Sequence, residues 1–309
     1  MTDRVAADLV GGTIRPDVQM PAPDVEAVEA AIRRAIDEGR RDLVDVIGAG
    51  ELTIALRWEV DGVPCVVKRM PPFGGRALAE QYSAVVRRHI DDLTSRGVKC
   101  VATTLHTLDR ADGTVIVYHC QPLLDLDGLA DRLLRDRTPS ADDPLVTTLV
   151  DRIVTLQRDG IPIDPQFANW YWFDGDLWQL DLSTPFMMDG DDLIYDTTGF
   201  EREYPWLIRR VVYRELMKAA KHYTDVVYVL TDVMTQLHRI GMSQWCAPFA
   251  DAAQARHQMT IDPAEARRRC DSDAKFYPAL LRTKRFERRW RQLTRRRYDA
   301  LLPDKSTFE

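Results

Sequence analysis

The dipeptide Asp61-Gly62 limits the possible folds of the chain more than any other motif, because it stands between two runs of mostly apolar residues. The run before it reads LTIALRWEV and the run after it reads VPCVVKRM, and residues of these types favour extended backbone. An Asp-Gly pair between such runs is typical of a two-residue hairpin turn. With that turn, Val60 pairs with Val63 and Lys68 lies opposite Ala55. The sequence therefore predicts an antiparallel strand pair that carries a lysine beside a small residue.

Strand signals continue to about residue 121. Two further strands are predicted at 98–108 and 114–121, with an Asp-Gly turn between them. A helix is predicted from the N-cap residue Asp24 to about Glu38, and a second one over 76–95, which contains Glu80. The residue after Lys68, Arg69, is predicted to face solvent.

From residue 123 onward, helical periodicity dominates the sequence. Helices are predicted at about 126–135, 144–158, 205–221, 224–239, 262–275 and 283–301. The order of elements favours an α+β fold with two lobes, an antiparallel-sheet N-lobe and a mostly helical C-lobe. The expected divisions are an N-terminal arm and helix over 1–41, a sheet lobe over 42–122 and a helical lobe over 123–309.

Charge and cysteine usage narrow the classes of protein to consider. The formal net charge of the 309-residue chain is −6, which argues against a nucleic-acid partner. Residues 265–301 differ, because they hold 13 Lys and Arg against 5 Asp and Glu. Five cysteines without a CxxC pair favour reduced thiols and a cytoplasmic protein. No apolar run is long enough for a membrane span, so no membrane partner is expected.

A second hairpin carries the most informative polar residues. The sequence WYWFDGDLWQL, from Trp170 to Leu180, has its own Asp-Gly turn, which predicts a tight hairpin. Strand pairing then places Asn169 and Asp181 opposite each other, or one residue apart, at the open end. Asp164 precedes Asn169 by five residues and is expected at the same end. Carboxylate and amide oxygens of this kind suit Mg²⁺, which completes its shell with water and phosphates.

The order of these motifs resembles the protein kinase superfamily, and it looks nearest to the aminoglycoside phosphotransferase-like branch. The resemblance rests on the turn Gly48-Ala-Gly50, the strand residue Lys68, the helix residue Glu80 and the spacing Asp-x4-Asn before the hairpin. It implies a kinase-like fold and binding of ATP and Mg²⁺.

The roles of the site residues follow from that resemblance. Gly48, Gly50 and Ala55 would lie against the nucleotide, and Lys68, paired with Glu80, would contact its phosphates. The resemblance also implies that Asp164 accepts the proton of the acceptor hydroxyl, while Asn169 and Asp181 hold Mg²⁺. The sequence departs from the family pattern where Pro162-Ile163 precedes Asp164 and where Asp181-Leu-Ser replaces Asp-Phe-Gly.

Several functions stay open at the level of sequence. The first is an ATP-dependent phosphotransferase whose acceptor is a hydroxylated small molecule or a peptide Ser or Thr. A pseudokinase, which binds or scaffolds without phosphoryl transfer, is the alternative, and adenylyl transfer fits the same motifs. The basic segment near the C-terminus is expected to be a docked helix with a solvated basic face, or a surface for an acidic partner.

Overall fold

The structure is a computed structural model that describes residues 9–10, 13–49, 53–294 and 298–301. Its strands, in chain order β1 to β12, are Leu9–Val10, Thr13–Ile14, Val46–Ala49, Ile54–Val60, Val63–Arg69, Lys99–Cys100, Thr104–Asp109, Val115–Pro122, Trp170–Phe173, Asp176–Gln179, Met188–Asp189 and Asp192–Leu193. Its α-helices, α1 to α9, are Val25–Glu38, Arg76–Thr94, Ala130–Arg135, Pro144–Arg158, Thr198–Glu201, Trp206–His222, Val226–Arg239, Cys246–His257 and Pro263–Leu293.

Five strands form one antiparallel sheet in the order β3-β4-β5-β8-β7. The predicted register of its first hairpin is confirmed, because Val60 pairs with Val63 and Ala55 pairs with Lys68. The turn residues Asp61 and Gly62 have φ values of 53° and 77°. Two consecutive positive φ values are those of a turn whose twist matches the flanking strands, so the two-residue loop fixes the register.

Helix α1 covers one face of this sheet. Asp24 caps the helix, since its carboxylate accepts from the N–H groups of Glu26 and Ala27, each at 3.1 Å. The buried stripe Val28, Ile32 and Ile36 packs on apolar residues that β4, β5 and β8 point to this side. The helix ends at Gly39, which is left-handed with a φ of 68°.

The face under α1 also contains a buried ion pair that corrects one prediction. Arg69 is only 7% exposed, although the sequence predicted that it faces solvent. Its guanidinium donates to both carboxylate oxygens of Glu29, at 2.6 and 3.0 Å, and the Tyr118 hydroxyl donates to the same carboxylate at 2.7 Å. Strand alternation shows which side of a sheet a residue takes, but not whether another element covers that side.

Helix α2 covers the opposite face of the sheet. Tyr82 and Val86 of this helix pack with Met70 and Val117 in a separate apolar cluster. The second face therefore carries Lys68, which lies two residues before Met70 on β5. The five-stranded sheet is sandwiched between two helices, and its α2 side faces the hairpin β9–β10.

The predicted tight hairpin β9–β10 closes with a two-residue loop. Phe173 pairs with Asp176 and Trp170 pairs with Gln179, around Asp174 and Gly175 in a second turn with two positive φ values, 51° and 73°. Strand β6 adds in parallel to β10. The single strand predicted over 98–108 is thus two strands in two sheets, because the chain leaves β10 after Cys100 and joins β8 at Thr104.

The rest of the chain is mostly helical, with its core between α4, α7 and α8. The two helices predicted over 262–275 and 283–301 are one continuous helix, α9, that passes through Pro278. The antiparallel sheet, with α1 and α2 on its two faces, is therefore followed by a mostly helical part of the chain. None of the helices in the described part of the chain combines the length and the apolarity needed to cross a bilayer.

Candidate functional site

Lys68 lies in the middle of the sheet, on the face toward α2. Its neighbours across the strands are Ala55 on β4 and His119 on β8. The small Ala55 leaves room beside the lysine side chain, which is 15% exposed. An amine this enclosed needs a compensating anion. That anion is Asp181, whose Oδ1 lies 3.1 Å from the lysine Nζ.

Asp181 reaches Lys68 from the other sheet, two residues after the end of β10. Its Oδ1 also accepts hydrogen bonds from the backbone N–H of Ser183 at 3.0 Å and from the Ser183 hydroxyl at 2.6 Å. Burial would raise the pKa of the Asp181 carboxyl, but the charge of Lys68 and the bonds from Ser183 outweigh it and lower the pKa to about 2. Asp181 is therefore a carboxylate at neutral pH.

Tyr82 and His119 complete the wall of the site, and neither was among the residues predicted from the sequence. The Tyr82 hydroxyl donates to the carbonyl oxygen of Ser183 at 2.8 Å and lies 2.7 Å from Nε2 of His119. Because the phenol hydrogen is donated to the Ser183 carbonyl oxygen, the hydrogen of the second bond sits on Nε2. Burial, with help from Lys68, lowers the pKa of His119 to about 3, so the ring is neutral.

Tyr82 falls two residues after Glu80 in the same predicted helix. The pairing of β5 with β8, which places His119 opposite Lys68, was not predicted from the sequence. The two side chains bond to each other, and the Tyr82 hydroxyl also bonds to the segment after Asp181. These bonds fix the position of Ser183, which in turn holds Asp181.

Asn169 and Asp164 lie on the approach to the hairpin. The hairpin register places Asn169 opposite Leu180, whose N–H donates to the Asn169 carbonyl at 2.8 Å. Asn169 is thus one residue out of line with Asp181, one of the two predicted arrangements. Asp164 is half-buried, and its Oδ1 accepts from the backbone N–H of Gln166 at 3.3 Å.

The oxygens at the hairpin end fit a hard cation. Both hydrogen bonds that the Asp181 carboxylate accepts from Ser183 go to Oδ1, and Oδ2 accepts no hydrogen bond from the residues that the structure describes. The side-chain amide of Asn169 likewise has no hydrogen bond to any described residue. Such oxygens suit Mg²⁺, which needs few protein ligands when water and phosphates supply the rest. Within the described ranges, no three His, Cys, Asp or Glu side chains group as metal ligands, so a cation here would depend on that outside supply.

The structure does not bring every predicted residue to the site. Glu80 is exposed on α2, because Ala79, Tyr82 and Ser83 are the residues of that turn that face inward. The predicted ion pair between Lys68 and Glu80 is therefore wrong for the described structure, in which Asp181 takes that place.

The predicted glycine turn is described only in part. Gly48 lies on β3 and pairs with Ala55, and a Cβ added to it would meet the Ala55 Cβ at an ordinary 3.6 Å. Gly50 lies outside the described residues.

Comparison with known proteins gives a family. A family of unknown function, DUF6206, matches residues 27–295. The chain belongs to this family. The region shared with DUF6206 includes Lys68, Tyr82, His119 and Asp181, so the whole site lies inside it.

The other comparisons add little to the assignment to DUF6206. No protein of curated function matches the chain. A solved structure described as WaaP in complex with acyl carrier protein is 16% identical, and the match covers 87% of this chain and 98% of that one with a TM-score of 0.37. We draw no conclusion about function from a likeness this small.

Proposed function

We propose that this protein is an ATP-dependent phosphotransferase with a protein-kinase-like fold. The observation that carries the proposal is the meeting of Lys68 and Asp181. A strand lysine and a hairpin-end carboxylate, from two separate sheets, lie 3.1 Å apart. The second oxygen of that carboxylate accepts no hydrogen bond from the described residues. A phosphate beside the lysine and a metal on the second oxygen would be the natural additions to such a pair.

Each site residue has one task in this proposal. Lys68 neutralises charge on the nucleotide phosphates, and Asp181 with Asn169 holds Mg²⁺. The bound Mg²⁺ supplies charge compensation for the phosphates during transfer. Asp164 takes the proton of an acceptor hydroxyl. The hydroxyl oxygen then bonds to the γ-phosphorus while the bond from that phosphorus to the β–γ bridging oxygen breaks, which leaves ADP and the phosphorylated acceptor.

The pair also explains how the site stays stable without nucleotide. Lys68 and Asp181 neutralise each other, and Tyr82 with His119 hold Ser183 against the carboxylate. A Mg²⁺–nucleotide complex brings a phosphate for the lysine and a cation for the carboxylate, so neither group is left unpaired. His119 beside Lys68 is neutral and adds no charge that would compete for the phosphate. The acceptor in this proposal is a hydroxylated small molecule or a peptide Ser or Thr, and the protein acts in the cytoplasm.

Nucleotide binding tests the proposal directly. Isothermal calorimetry with ATP and MgCl₂ should show binding, and a thermal-shift assay should show a higher melting temperature, because the ligand binds the native state. Asp181→Asn should weaken Mg²⁺-dependent binding at least tenfold. Asp91→Asn, on the exposed side of α2, is the matched control and should not change it. If ATP with Mg²⁺ neither binds nor shifts the melting temperature, the proposal is wrong.

A pseudokinase is the second candidate, and two observations favour it. Glu80 does not reach Lys68, and Asp164 sits between Ile163 and Pro165 with its Oδ1 bonded to the Gln166 N–H. A pseudokinase would bind ATP but transfer no phosphate. Phosphate release from labelled ATP therefore separates the two functions. Turnover that Asp164→Asn abolishes, with ATP binding intact, would support the transferase, and binding without any turnover would support the pseudokinase.

A further inference from the structure

Most of the exposed large apolar side chains lie on two neighbouring helices. Among the described residues, eight large apolar side chains are exposed, and six of these belong to α6 and α9. They are Trp206, Leu207, Val211, Phe286, Trp290 and Leu293. None of the six packs into any apolar cluster of the described structure. A concentration of this kind, on one part of a surface, is typical of an interaction site.

In the last turns of helix α9, charged side chains face the protein and apolar side chains face solvent, which is the reverse of an ordinary amphipathic helix. Its buried side near the C-terminal end is charged, with Lys284 bonded to Glu203 at 2.7 Å and Arg291 bonded to Glu287 at 2.7 Å. The apolar residues Phe286, Trp290 and Leu293 follow at intervals of four and three and lie on the opposite, solvent side, 61%, 52% and 81% exposed. The sequence had favoured docking of the apolar stripe, so this helix face is a correction as well as a finding.

Helix α6 presents a similar face. Leu207 and Val211, one turn apart, are 71% and 50% exposed. Three exposed cations lie one turn apart on the same side, Arg210, Arg214 and Lys218. The whole of α6 carries five Lys and Arg and a single acidic residue, Glu215. The exposed face of α9 adds Arg282 and Arg289 beside its aromatic residues.

Polar contacts join the two helices on the sides that face the protein, opposite their exposed apolar residues. The Arg209 guanidinium of α6 is 3.5 Å from the Glu287 carboxylate of α9. Arg291 donates to the carbonyl oxygen of Arg202 at 2.7 Å, four residues before α6 begins. The start of α6 is thereby fixed to the last turns of α9. We name the six apolar residues, with the five exposed cations above, the Trp–Arg surface.

We propose that the Trp–Arg surface binds the surface of an anionic lipid bilayer. Tryptophan, phenylalanine and leucine on a helix rich in arginine are the residues that insert at the boundary of headgroups and acyl chains. Tryptophan favours that depth in particular, because its ring is apolar and its N–H is polar. Lys and Arg beside them add attraction to acidic headgroups. An anionic bilayer departs from the prediction of no membrane partner, which rested on the lack of a spanning segment, although the sequence had left open a surface for an acidic partner on the basic segment near the C-terminus.

Charge and residue type argue against the other occupants. A second copy of the chain would bring two cationic faces together, which like charges oppose. Single-stranded nucleic acid is bound by aromatic rings on which bases stack. Three of the six apolar residues, Leu207, Val211 and Leu293, are aliphatic and offer no such ring.

Vesicle flotation with the full chain tests the proposal. The protein should float with vesicles of phosphatidylglycerol and phosphatidylcholine, less so at high salt, and not with phosphatidylcholine alone. Phe286→Glu with Trp290→Glu should reduce the bound fraction about tenfold or more, because two carboxylates replace two inserted rings. Val227→Glu with Leu126→Glu is the matched control. It removes the two exposed apolar side chains outside the surface and should leave flotation unchanged.

A second pair of variants separates charge from apolar contact. Arg210→Gln with Arg214→Gln should weaken flotation and its dependence on salt, whereas Arg87→Gln with Arg88→Gln, exposed on α2, should not. The proposal is overturned if no vesicle binds at low salt, or if the Phe286 and Trp290 variants float as well as the native chain. It is also overturned if those variants instead abolish binding of an oligonucleotide or convert a dimer to a monomer on a sizing column.

Discussion

Among the described residues, a single carboxylate compensates the charge of Lys68, and it comes from far along the chain. With side chains 15% and 25% exposed, Lys68 and Asp181 are mostly removed from water, so each depends on the other for compensation. The sequence predicted that the lysine would need an anion but named the wrong one, Glu80. The correct partner depends on how two sheets meet, and neither register nor periodicity contains that information.

Asp181→Asn should therefore destabilise the protein as well as weaken nucleotide binding. The amide leaves the lysine charge without its partner in a mostly buried site, which costs about 2 kcal/mol of unfolding free energy. Urea unfolding followed by circular dichroism measures this change. The double variant Lys68→Met with Asp181→Asn should recover part of the loss. If the loss of unfolding free energy in the double variant equals the sum of the losses in Lys68→Met and Asp181→Asn, the ion pair does not couple the two residues.

At the scale of elements, the first Asp-Gly hairpin was predictable to the residue and the second to within one residue. Both turns have two positive φ values, and a two-residue loop fixes every pair along its strands. The registers from Ala55 to Lys68 and from Trp170 to Gln179 follow by counting. The point at which one strand or helix ends and the next begins, inside a continuous run of similar residues, is harder to predict. One predicted strand became β6 and β7, and two predicted helices became α9, because sheet exchange and a tolerated proline depend on tertiary contacts.

The C-terminal segment is an element that the sequence did not foresee. Residues 298–301 lie against α1 and the sheet, where the Asp299 carboxylate is 2.9 Å from Arg110 and 3.3 Å from Arg33. Arg69, which also holds Glu29, donates to the Asp299 carbonyl at 2.9 Å. Leu301 packs on the α1 side of the core. Residues 298–301 lie beyond the region that matches DUF6206. They attach this part of the chain to the face of the sheet opposite the site.

Asp299→Ala should loosen this attachment. Arg110 is 5% exposed at its side chain, so loss of the carboxylate leaves a mostly buried cation with fewer partners and lowers the unfolding free energy by about 2 kcal/mol. Asp17→Ala is the control, since the pair of Arg15 and Asp17 is nearly half exposed and its removal should cost less than about 0.5 kcal/mol. Urea midpoints compare the two. Equal effects would mean that the segment contributes nothing beyond a surface pair.

At the scale of the whole molecule, the buried histidines make stability depend on pH, and Asp232, whose carboxyl pKa is raised by burial to about 6, opposes them. Burial lowers the pKa of His119 to about 3 and that of His89 to about 4, against an ordinary value of 6.5. Between these values the unfolded chain binds protons that the folded chain does not. The contribution of the two neutral histidines to stability is therefore largest above pH 6.5 and decreases as the pH falls toward 4. Each histidine should contribute a slope approaching 1.4 kcal/mol per pH unit within that window.

The prediction is that the unfolding free energy drops by about 2 kcal/mol per buried histidine between pH 7 and pH 5. The figure is the same for any histidine pKa well below 5 in the folded state, so it does not depend on the individual pKa values. His119→Gln should be less stable at pH 7, because the bond to Tyr82 changes, yet its stability should fall less steeply on acidification. His89→Gln should flatten the same slope independently, and the double variant should flatten it further. Urea unfolding at pH 7, 6 and 5 measures the slopes. A native slope that both single variants retain in full would mean that neither ring is kept neutral by burial, and the neutral wall assigned to Lys68 would then be wrong.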